Sequence, residues 1–269
     1  MTLFEKLKEA KPFFLIAGPC VVEDLDTMRQ TAQTLVNLSD ELGLPFVFKS
    51  SYRKANRTSG DSPEGPGLEQ GLTILQKLKQ EFGFPILTDV HECVEVPMVA
   101  EVCDILQIPA FLSRQTALIE AVASSGRIVN IKKGQFMAPE DIISAASKAQ
   151  NAGTDEVLLT ERGSSFGYHN LVVDFRGFAI MAQSQLPVVY DVTHSLQRPS
   201  LGKASGGAPQ YAAMMAQAAM ATGMVKGLFI ETHPQPSQAL SDAASMLPLD
   251  EMRGLLTDAI RVRMALEGN

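Results

Sequence analysis

The sequence predicts a single-domain (β/α)8 TIM barrel over residues 1–269, with a short N-terminal extension at residues 1–11. Three observations predict it. Eight short apolar runs alternate with longer amphipathic stretches. About 250 residues is the usual length of this fold. The longest loops all follow the carboxyl ends of the apolar runs. A doubly wound open sheet is the alternative, but neither a G-x-G-x-x-G nor a P-loop pattern supports it.

The eight runs are nearly all apolar, as expected for parallel strands that are covered on both faces. The predicted strands are Phe13–Ala17, Pro45–Lys49, Pro85–Asp89, Ile105–Pro109, Ile128–Lys132, Glu156–Thr160, Pro187–Val192 and Gly227–Glu231.

Helical patterns separate the strands, and several end at a glycine where a left-handed C-terminal residue belongs. The predicted helices are Thr27–Leu42, Leu68–Phe82, Val96–Val102, Thr116–Ser124, Pro139–Ala152, Val173–Gln183, Tyr211–Thr222 and Leu249–Leu266.

The composition excludes several classes of protein. The chain carries 23 Lys and Arg against 30 Asp and Glu, a formal net charge of −7, which argues against a nucleic-acid partner. No run approaches the roughly 18 apolar residues that a membrane span needs. Three cysteines, an odd number, do not suggest a disulfide framework. We therefore expect a soluble, cytoplasmic, globular protein without a membrane partner.

Long loops follow the second, sixth and seventh strands, on the side where active sites of barrels form. Their sequences are SSYRKANRTSGDSPEGPG, RGSSFGYHN and HSLQRPSLGKASGGAPQ. The Gly-rich part of the last, residues 200–209, is a candidate lid over the site. An ordinary flexible loop is the alternative interpretation.

Cationic residues lie at or just beyond several strand ends, which a barrel would bring to one rim. They are Lys49, Lys54, Arg57, Arg114, Lys132 and Arg162. Such a desolvated cluster would repel itself and needs a counter-charge. It therefore indicates an anionic ligand, and phosphate or carboxylate suits the geometry of arginine. Alternatively, each cation extends to water or pairs with an internal acid.

A second group of residues has the chemistry of a metal site. Cys20 follows the first strand, His194 the seventh, and Glu231 and Asp242 lie at and after the eighth. The first and eighth strands of a barrel are neighbours, so these four side chains could meet. Thiolate, imidazole and carboxylate suit Zn²⁺, Fe²⁺ or Mn²⁺. Alternatively, Cys20 is a small buried apolar residue.

Motifs in order along the chain carry a family resemblance over roughly residues 12–250. They are IAGPCVVE, FKSSYRKANRTS, LTDVHE, LQIPAFLSRQTALIEA, VNIKKGQFMAPED, LLTERGSSFGY, VVYDVTHSLQRP and GLFIETHPQPSQALSDAASMLPL. The chain resembles the 3-deoxy-D-manno-octulosonate 8-phosphate synthases, which are related to the 3-deoxy-heptulosonate 7-phosphate synthases.

The resemblance implies a transferase that condenses phosphoenolpyruvate with D-arabinose 5-phosphate and water. The products would be 3-deoxy-D-manno-octulosonate 8-phosphate, for the lipopolysaccharide inner core, and inorganic phosphate. It also implies a homotetramer.

The resemblance further assigns residues to each substrate. Those implied for phosphoenolpyruvate are Lys49, Ser51, Lys54, Gln107, Lys132 and Arg162. Those implied for the sugar phosphate are Asn56, Arg57, Asp89 and Gln197, with Arg114 expected near a phosphate across a subunit interface. Thr58 stands where relatives often have Ser. Lys54, Lys132, His194 and Asp242 are the expected catalytic residues, with Lys54 a candidate proton donor.

Two short motifs refine the expectation. KANR at residues 54–57 favours the five-carbon sugar, because the related synthases usually have KPRT there. Metal-dependent members of the family have Cys at the position of Cys20, and metal-independent members have Asn. Two alternatives stay open: a heptulosonate 7-phosphate synthase that uses erythrose 4-phosphate, and a non-catalytic sensor of a phosphorylated metabolite.

Overall fold

Eight parallel strands close into a barrel in the structure, a computed structural model that describes residues 1–55, 63–199 and 206–268. The strands are β1 Phe14–Gly18, β2 Phe46–Lys49, β3 Ile86–Asp89, β4 Ile105–Ile108, β5 Ile128–Lys132, β6 Val157–Glu161, β7 Val188–Asp191 and β8 Gly227–His233. Each pairs with the next, and β1 closes on β8 with Gly18 opposite Glu231. The predicted barrel is confirmed.

Most of the helices cover the outside of the barrel, except the first, at its amino end, and the eighth, a single turn directly after β7. The helices are α1 Leu3–Lys8, α2 Leu25–Leu42, α3 Leu68–Phe82, α4 Val96–Val102, α5 Thr116–Ala123, α6 Pro139–Asn151, α7 Arg176–Ala182, α8 Val192–Ser195, α9 Ala212–Ala221 and α10 Met252–Glu267. The side chain of Asp24 caps the start of α2, and Gly43 ends it in the left-handed conformation. None of the helices in the described ranges has both the length and the apolarity needed to cross a membrane.

The N-terminal extension packs against the amino ends of the strands. Leu7 of α1 and Ala10 join an apolar group, here called the bottom cluster. Its members are Leu7, Ala10, Phe14, Ile16, Val47, Leu87, Ile105, Ile128, Leu158, Val189 and Phe229. A Cβ at Gly227 would collide with the ring of Phe14, so a glycine is needed where β8 passes this ring.

The opposite, carboxyl end of the barrel carries the long loops. The loop after β6 contains a strand pair, Ser164–Ser165 with Leu171–Val172. The loop after β7 contains another, Gln197–Arg198 with Gly206–Gly207. Most of the predicted lid, residues 200–205, lies outside the described residues. The asymmetry of loop length that the sequence predicts is therefore present at the end where the charged strand tips meet.

Candidate active site

A cavity of about 920 Å³ opens at the carboxyl ends of the strands. Nine of the residues singled out from the sequence for a site line it. They are Lys49, Lys54, Asp89, Gln107, Lys132, Arg162, His194, Gln197 and Asp242. Residues of seven strand ends or their following loops thus face one space, as the barrel prediction requires. Cys20, Ser51 and Glu231 lie in contact with the lining residues.

Two of the predicted cations are already paired with buried acids. Lys49 Nζ lies 2.5 Å from Glu231 Oε1, and Lys132 Nζ lies 2.5 Å from Asp191 Oδ2. Burial alone would raise the pKa of Glu231, but the charges of Lys49 and His194 lower it to about 2. The expectation of a mutually repelling cation cluster therefore needs correction, because internal acids neutralise part of it.

Arg162 keeps free donor capacity. Its side chain is buried at the end of β6, and Nη2 donates to Gln197 Oε1 at 3.1 Å. Nη1 is buried and has no hydrogen-bond partner among the described residues. A buried guanidinium donor without a partner is costly, and a bound carboxylate or phosphate would satisfy it.

Gln107 is oriented by two polar residues that the sequence reasoning did not single out. Asn130 Nδ2 donates to Gln107 Oε1 at 2.9 Å, and Thr160 Oγ1 donates to Asn130 Oδ1 at 2.6 Å. With its oxygen occupied, the Gln107 amide group can donate toward the cavity. The signal was present, because Asn130 is a polar residue inside an apolar strand, where an unpaired amide would be unfavourable.

Asp89, Ser51 and Lys54 form a connected group on the other side of the cavity. Ser51 Oγ donates to Asp89 Oδ1, and Lys54 Nζ donates to Ser51 Oγ at 2.9 Å. Burial opposes the charge on Lys54, yet Cys20, Glu231 and Asp89 raise its pKa well above the usual value. Lys54 therefore stays protonated, which suits a fixed positive charge better than a proton donor.

The four predicted metal ligands meet at one point. Ligand atoms of Cys20, Glu231 and Asp242 all lie within 4.8 Å of one another. His194 Nε2 lies 3.6 Å from Glu231 Oε2 and 3.7 Å from Asp242 Oδ2. Glu231 Oε2 is buried and accepts no hydrogen bond from the described part of the chain. An orphaned carboxylate oxygen beside a thiol and an imidazole fits a divalent cation.

Asp191 fixes the orientation of His194. Its Oδ1 accepts from the backbone N–H of His194 at 2.9 Å, and its Oδ2 lies 2.8 Å from His194 Nδ1. Nδ1 is thus occupied and Nε2 faces Glu231 and Asp242, the arrangement common for metal-binding histidines. The sequence placed Asp191 at a strand end without a role. The D-x-x-H spacing, in which the Asp caps the turn that carries the His, was the available signal.

Besides Ser51, four of the residues predicted to bind substrate are not among the described residues that line the cavity. Arg114 is exposed and is absent from the described lining of the cavity. Its predicted contact with a phosphate across a subunit interface concerns an assembly and stays a prediction. Asn56, Arg57 and Thr58 lie outside the described residues, so their predicted contacts with the sugar phosphate also stay predictions.

A (β/α)8 barrel with buried cations and a metal-type donor set at the carboxyl ends of its strands defines a class of enzymes that bind anionic substrates. A sequence profile of the DAHP synthetase I family matches residues 8–264, and the chain belongs to this family.

Three curated relatives are similar over most of their length. The proteins of Acidithiobacillus ferrooxidans and Azoarcus sp. are 53% and 54% identical, over 91% and 92% of this chain and 87% and 89% of their own. That of Polaromonas naphthalenivorans is 52% identical, over 96% of this chain and 93% of its own. Each is named 2-dehydro-3-deoxyphosphooctonate aldolase, another name for the synthases that the motifs resemble.

Proposed function

We propose that this protein condenses phosphoenolpyruvate with D-arabinose 5-phosphate and water to 3-deoxy-D-manno-octulosonate 8-phosphate and inorganic phosphate. The observation that carries the proposal is the unpartnered buried donor of Arg162 in the same cavity as Asp89 and the Cys20 donor set. The names of the relatives support the same reaction.

Phosphoenolpyruvate is assigned to the side of Lys132 and Arg162. Two anionic groups on this substrate match the Arg162 fork and the neighbouring lysines. Gln107 adds an uncharged donor whose direction Asn130 fixes. Holding C3 of phosphoenolpyruvate beside the sugar aldehyde makes their encounter effectively unimolecular.

The condensation is balanced without a covalent enzyme intermediate. C3 of phosphoenolpyruvate forms a bond to the aldehyde carbon, whose oxygen becomes a hydroxyl after gaining a proton. Water adds to C2, which this bond leaves electron-deficient, and releases one proton. The C2 hydroxyl then becomes the carbonyl by losing its second proton, while the C2–O bond to phosphate breaks and inorganic phosphate leaves with the electron pair. The fixed charges of Lys54 and Lys132 stabilise the anionic oxygens on this path. Asp89 and Asp242 can accept hydrogen bonds from the sugar hydroxyls.

We also propose that Cys20, His194, Glu231 and Asp242 hold a divalent Zn, Fe or Mn ion. When bound, such an ion supplies Lewis acidity near the aldehyde or the attacking water. The chain's own part is geometric: Asp191 directs His194, and Lys49 balances the charge of Glu231.

The first experiment measures phosphate release from phosphoenolpyruvate with arabinose 5-phosphate. We expect release with this sugar and much less with erythrose 4-phosphate. Preferential use of erythrose 4-phosphate would instead support a heptulosonate synthase. Binding of phosphoenolpyruvate without release with either sugar would support a sensor.

The second experiment separates the metal from the reaction. Cys20→Ser should lower both the metal content by elemental analysis and the rate of phosphate release. Cys103→Ser is the matched control, because Cys103 is also buried and free but has no place in the donor set. Chelation should abolish activity, and adding back Mn²⁺, Fe²⁺ or Zn²⁺ should restore it. Full activity in a protein shown to be metal-free would exclude the metal from the proposal.

Assembly and location complete the proposal. A homotetramer is what the family resemblance implies, and exposed aromatic side chains on successive mouth loops offer apolar surface for contacts between chains: Phe111, Phe136, Phe166 and Tyr168. Light scattering on the purified protein gives the number of chains. The free cysteines are consistent with a cytoplasmic location, where lipopolysaccharide precursors would be made.

A further inference from the structure

Tyr52 and Glu95 form a buried hydrogen bond behind the sugar side of the cavity. Tyr52 follows β2 and is 0% exposed, and its hydroxyl donates to Glu95 Oε2 at 2.7 Å. Neither residue is among those that line the described cavity, so neither can contact a substrate there directly. Burial and the hydrogen bond to Glu95 raise the pKa of Tyr52, so its hydroxyl keeps the proton it donates.

His91 links this pair to the cavity. Its Nδ1 lies 3.2 Å from the Tyr52 hydroxyl oxygen, and its Nε2 lies 3.0 Å from Asp89 Oδ2. The Asp89 carboxylate can only accept, so Nε2 carries the proton donated to it, and the contact of Nδ1 with the Tyr52 hydroxyl holds the imidazole from its other side. Asp89 in turn takes the Ser51 hydroxyl on its other oxygen. The direction of the Asp89 carboxylate therefore depends on where His91 is held.

Packing leaves Tyr52 little freedom. Its ring meets His91 edge to face at 5.6 Å between centroids. On the other side lies Gly71 of α3, where a Cβ would come within 2.6 Å of the Tyr52 Cβ. This packing consequently fixes the position of the Tyr52 hydroxyl.

Glu95 ties together the loops that follow β2 and β3. Its Oε1 pairs with Arg53 Nη2 at 2.7 Å, and its Oε2 also accepts from the backbone N–H groups of His91 and Glu92, both at 3.2 Å. The first loop carries Lys54, and Asp89 is the strand residue immediately before the second loop. One buried carboxylate thus sets the relative position of the two loops that border the sugar side.

We propose that Tyr52 and Glu95 are positioning residues for the sugar substrate, acting through His91 on Asp89. The inference rests on the proposed function, since it assigns Asp89 to the hydroxyl groups of arabinose 5-phosphate. It predicts an effect that is selective for one of the two substrates.

Tyr52→Phe removes one oxygen and keeps the ring. The hydrogen bond from this hydroxyl to the Glu95 carboxylate affects the sugar only through His91 and Asp89, so its loss predicts about a three- to tenfold rise in KM for arabinose 5-phosphate. KM for phosphoenolpyruvate should change by less than about twofold on the same scale. Glu95→Gln keeps the size of the side chain and should show the same selectivity. It replaces Tyr52→Phe if that variant does not fold.

A double-mutant cycle distinguishes positioning from general destabilisation. Asp89→Asn removes the carboxylate on which Tyr52 is inferred to act. In that background, Tyr52→Phe should no longer change KM for the sugar, because the two effects share one path. Additive effects of the two substitutions, or equal changes in KM for both substrates, would overturn the inference.

The same assays keep this inference separate from the proposed function. No turnover by the wild-type enzyme with arabinose 5-phosphate would overturn the proposed function itself. Wild-type turnover with an unchanged sugar KM in both Tyr52→Phe and Glu95→Gln would overturn the positioning role alone.

Discussion

The two ends of the barrel differ in polarity although the same eight strands build both of them. At the amino ends, the bottom cluster fills the interior with apolar side chains, and α1 adds Leu7 to it. At the carboxyl ends, buried Lys, Asp and Glu pairs surround a cavity. The comparison shows that stability and chemistry are separated along the barrel axis, as is usual for this fold.

Phe229 of β8 marks the boundary between the two ends. It belongs to the bottom cluster, yet Lys132 Nζ lies 4.1 Å and Lys49 Nζ 5.4 Å from its ring centroid. One face of the apolar interior is therefore also the floor of the charged cavity. Substitutions on either side of this ring should have separable effects, which the following predictions exploit.

Phe14→Ala, at the bottom, should have the largest effect and should act on stability. Removing this fully buried ring costs about 3–5 kcal/mol of unfolding free energy for a core Phe→Ala change. Denaturant unfolding measures the loss, with Phe14→Leu as the graded control. Activity per folded molecule should stay within about twofold. The void that the substitution leaves lies at the amino end of the barrel, so contacts to the transition state in the substrate cavity remain intact. A selective loss of kcat without loss of stability would break the comparison.

Arg162→Met, at the mouth, should act on catalysis. Loss of one preorganised donor to an anionic substrate typically lowers kcat/KM by about 10²–10³-fold. The unfolding midpoint should change little, since Arg162 makes no ion pair with another described residue and its one described side-chain partner is the neutral Gln197. Arg176→Met is the control, because Arg176 is exposed and pairs only with Asp174 among the described residues. A large loss of stability with unchanged kinetics would contradict the division.

Phe229→Leu, at the boundary, should affect both properties. It keeps an apolar side chain but loses the aromatic face under Lys132, and such a cation–π contact contributes about 0.5–2 kcal/mol. We expect a modest fall in the unfolding midpoint together with a severalfold rise in KM for phosphoenolpyruvate. Paired unfolding and kinetic measurements check this, and a change in only one of them would place the boundary elsewhere.

Asp24→Ala should have the smallest effect, and it acts on stability although the residue lies toward the mouth. Asp24 caps α2 by accepting from the backbone N–H groups of Asp26 and Thr27 at 3.0 and 2.9 Å. Losing such a cap costs about 0.5–2 kcal/mol at neutral pH.

The stabilisation of the protein by the Asp24 cap should decrease at acid pH. In the folded state, hydrogen bonds from Thr27 hold the pKa of Asp24 below its ordinary value of 3.8. The charged cap therefore makes its full contribution to the free energy of unfolding above the pKa that Asp24 has in the unfolded chain. This contribution is lost as the pH falls through the lower pKa that Asp24 has in the folded protein. The stability difference between wild type and Asp24→Ala should shrink at acid pH. Asp24→Asn, a neutral cap, should show no such titration.

Much of the fold could be predicted because short apolar runs and helix ends are local signals. The bounds of α3 and α4 match the prediction, whereas α7 begins at Arg176, three residues later than predicted. There Asp174 Oδ1 accepts from the backbone N–H of Arg176, so a local turn at Asp174 precedes the helix and delays its start.

The site was predicted less completely, because pairing depends on contacts between distant strands. The cations at strand tips could be identified one by one, but the choice of Glu231 for Lys49 and Asp191 for Lys132 follows only from strand order and register. The roles of Asn130 and Tyr52 likewise arise from neighbouring strands and loops. Polar residues inside apolar segments were the signal that sequence reasoning underused.

The contact between Cys20 and Asp242 spans 222 positions of the chain. A chain emerging from the ribosome can form the first strands early, but its thiol has no carboxylate partners until β8 has been made and paired with β1. Closure of the barrel and completion of the donor set are therefore one event, at high contact order. An ion held by these donors would bind only the closed barrel. It would therefore stabilise the completed chain and not a partly synthesised one.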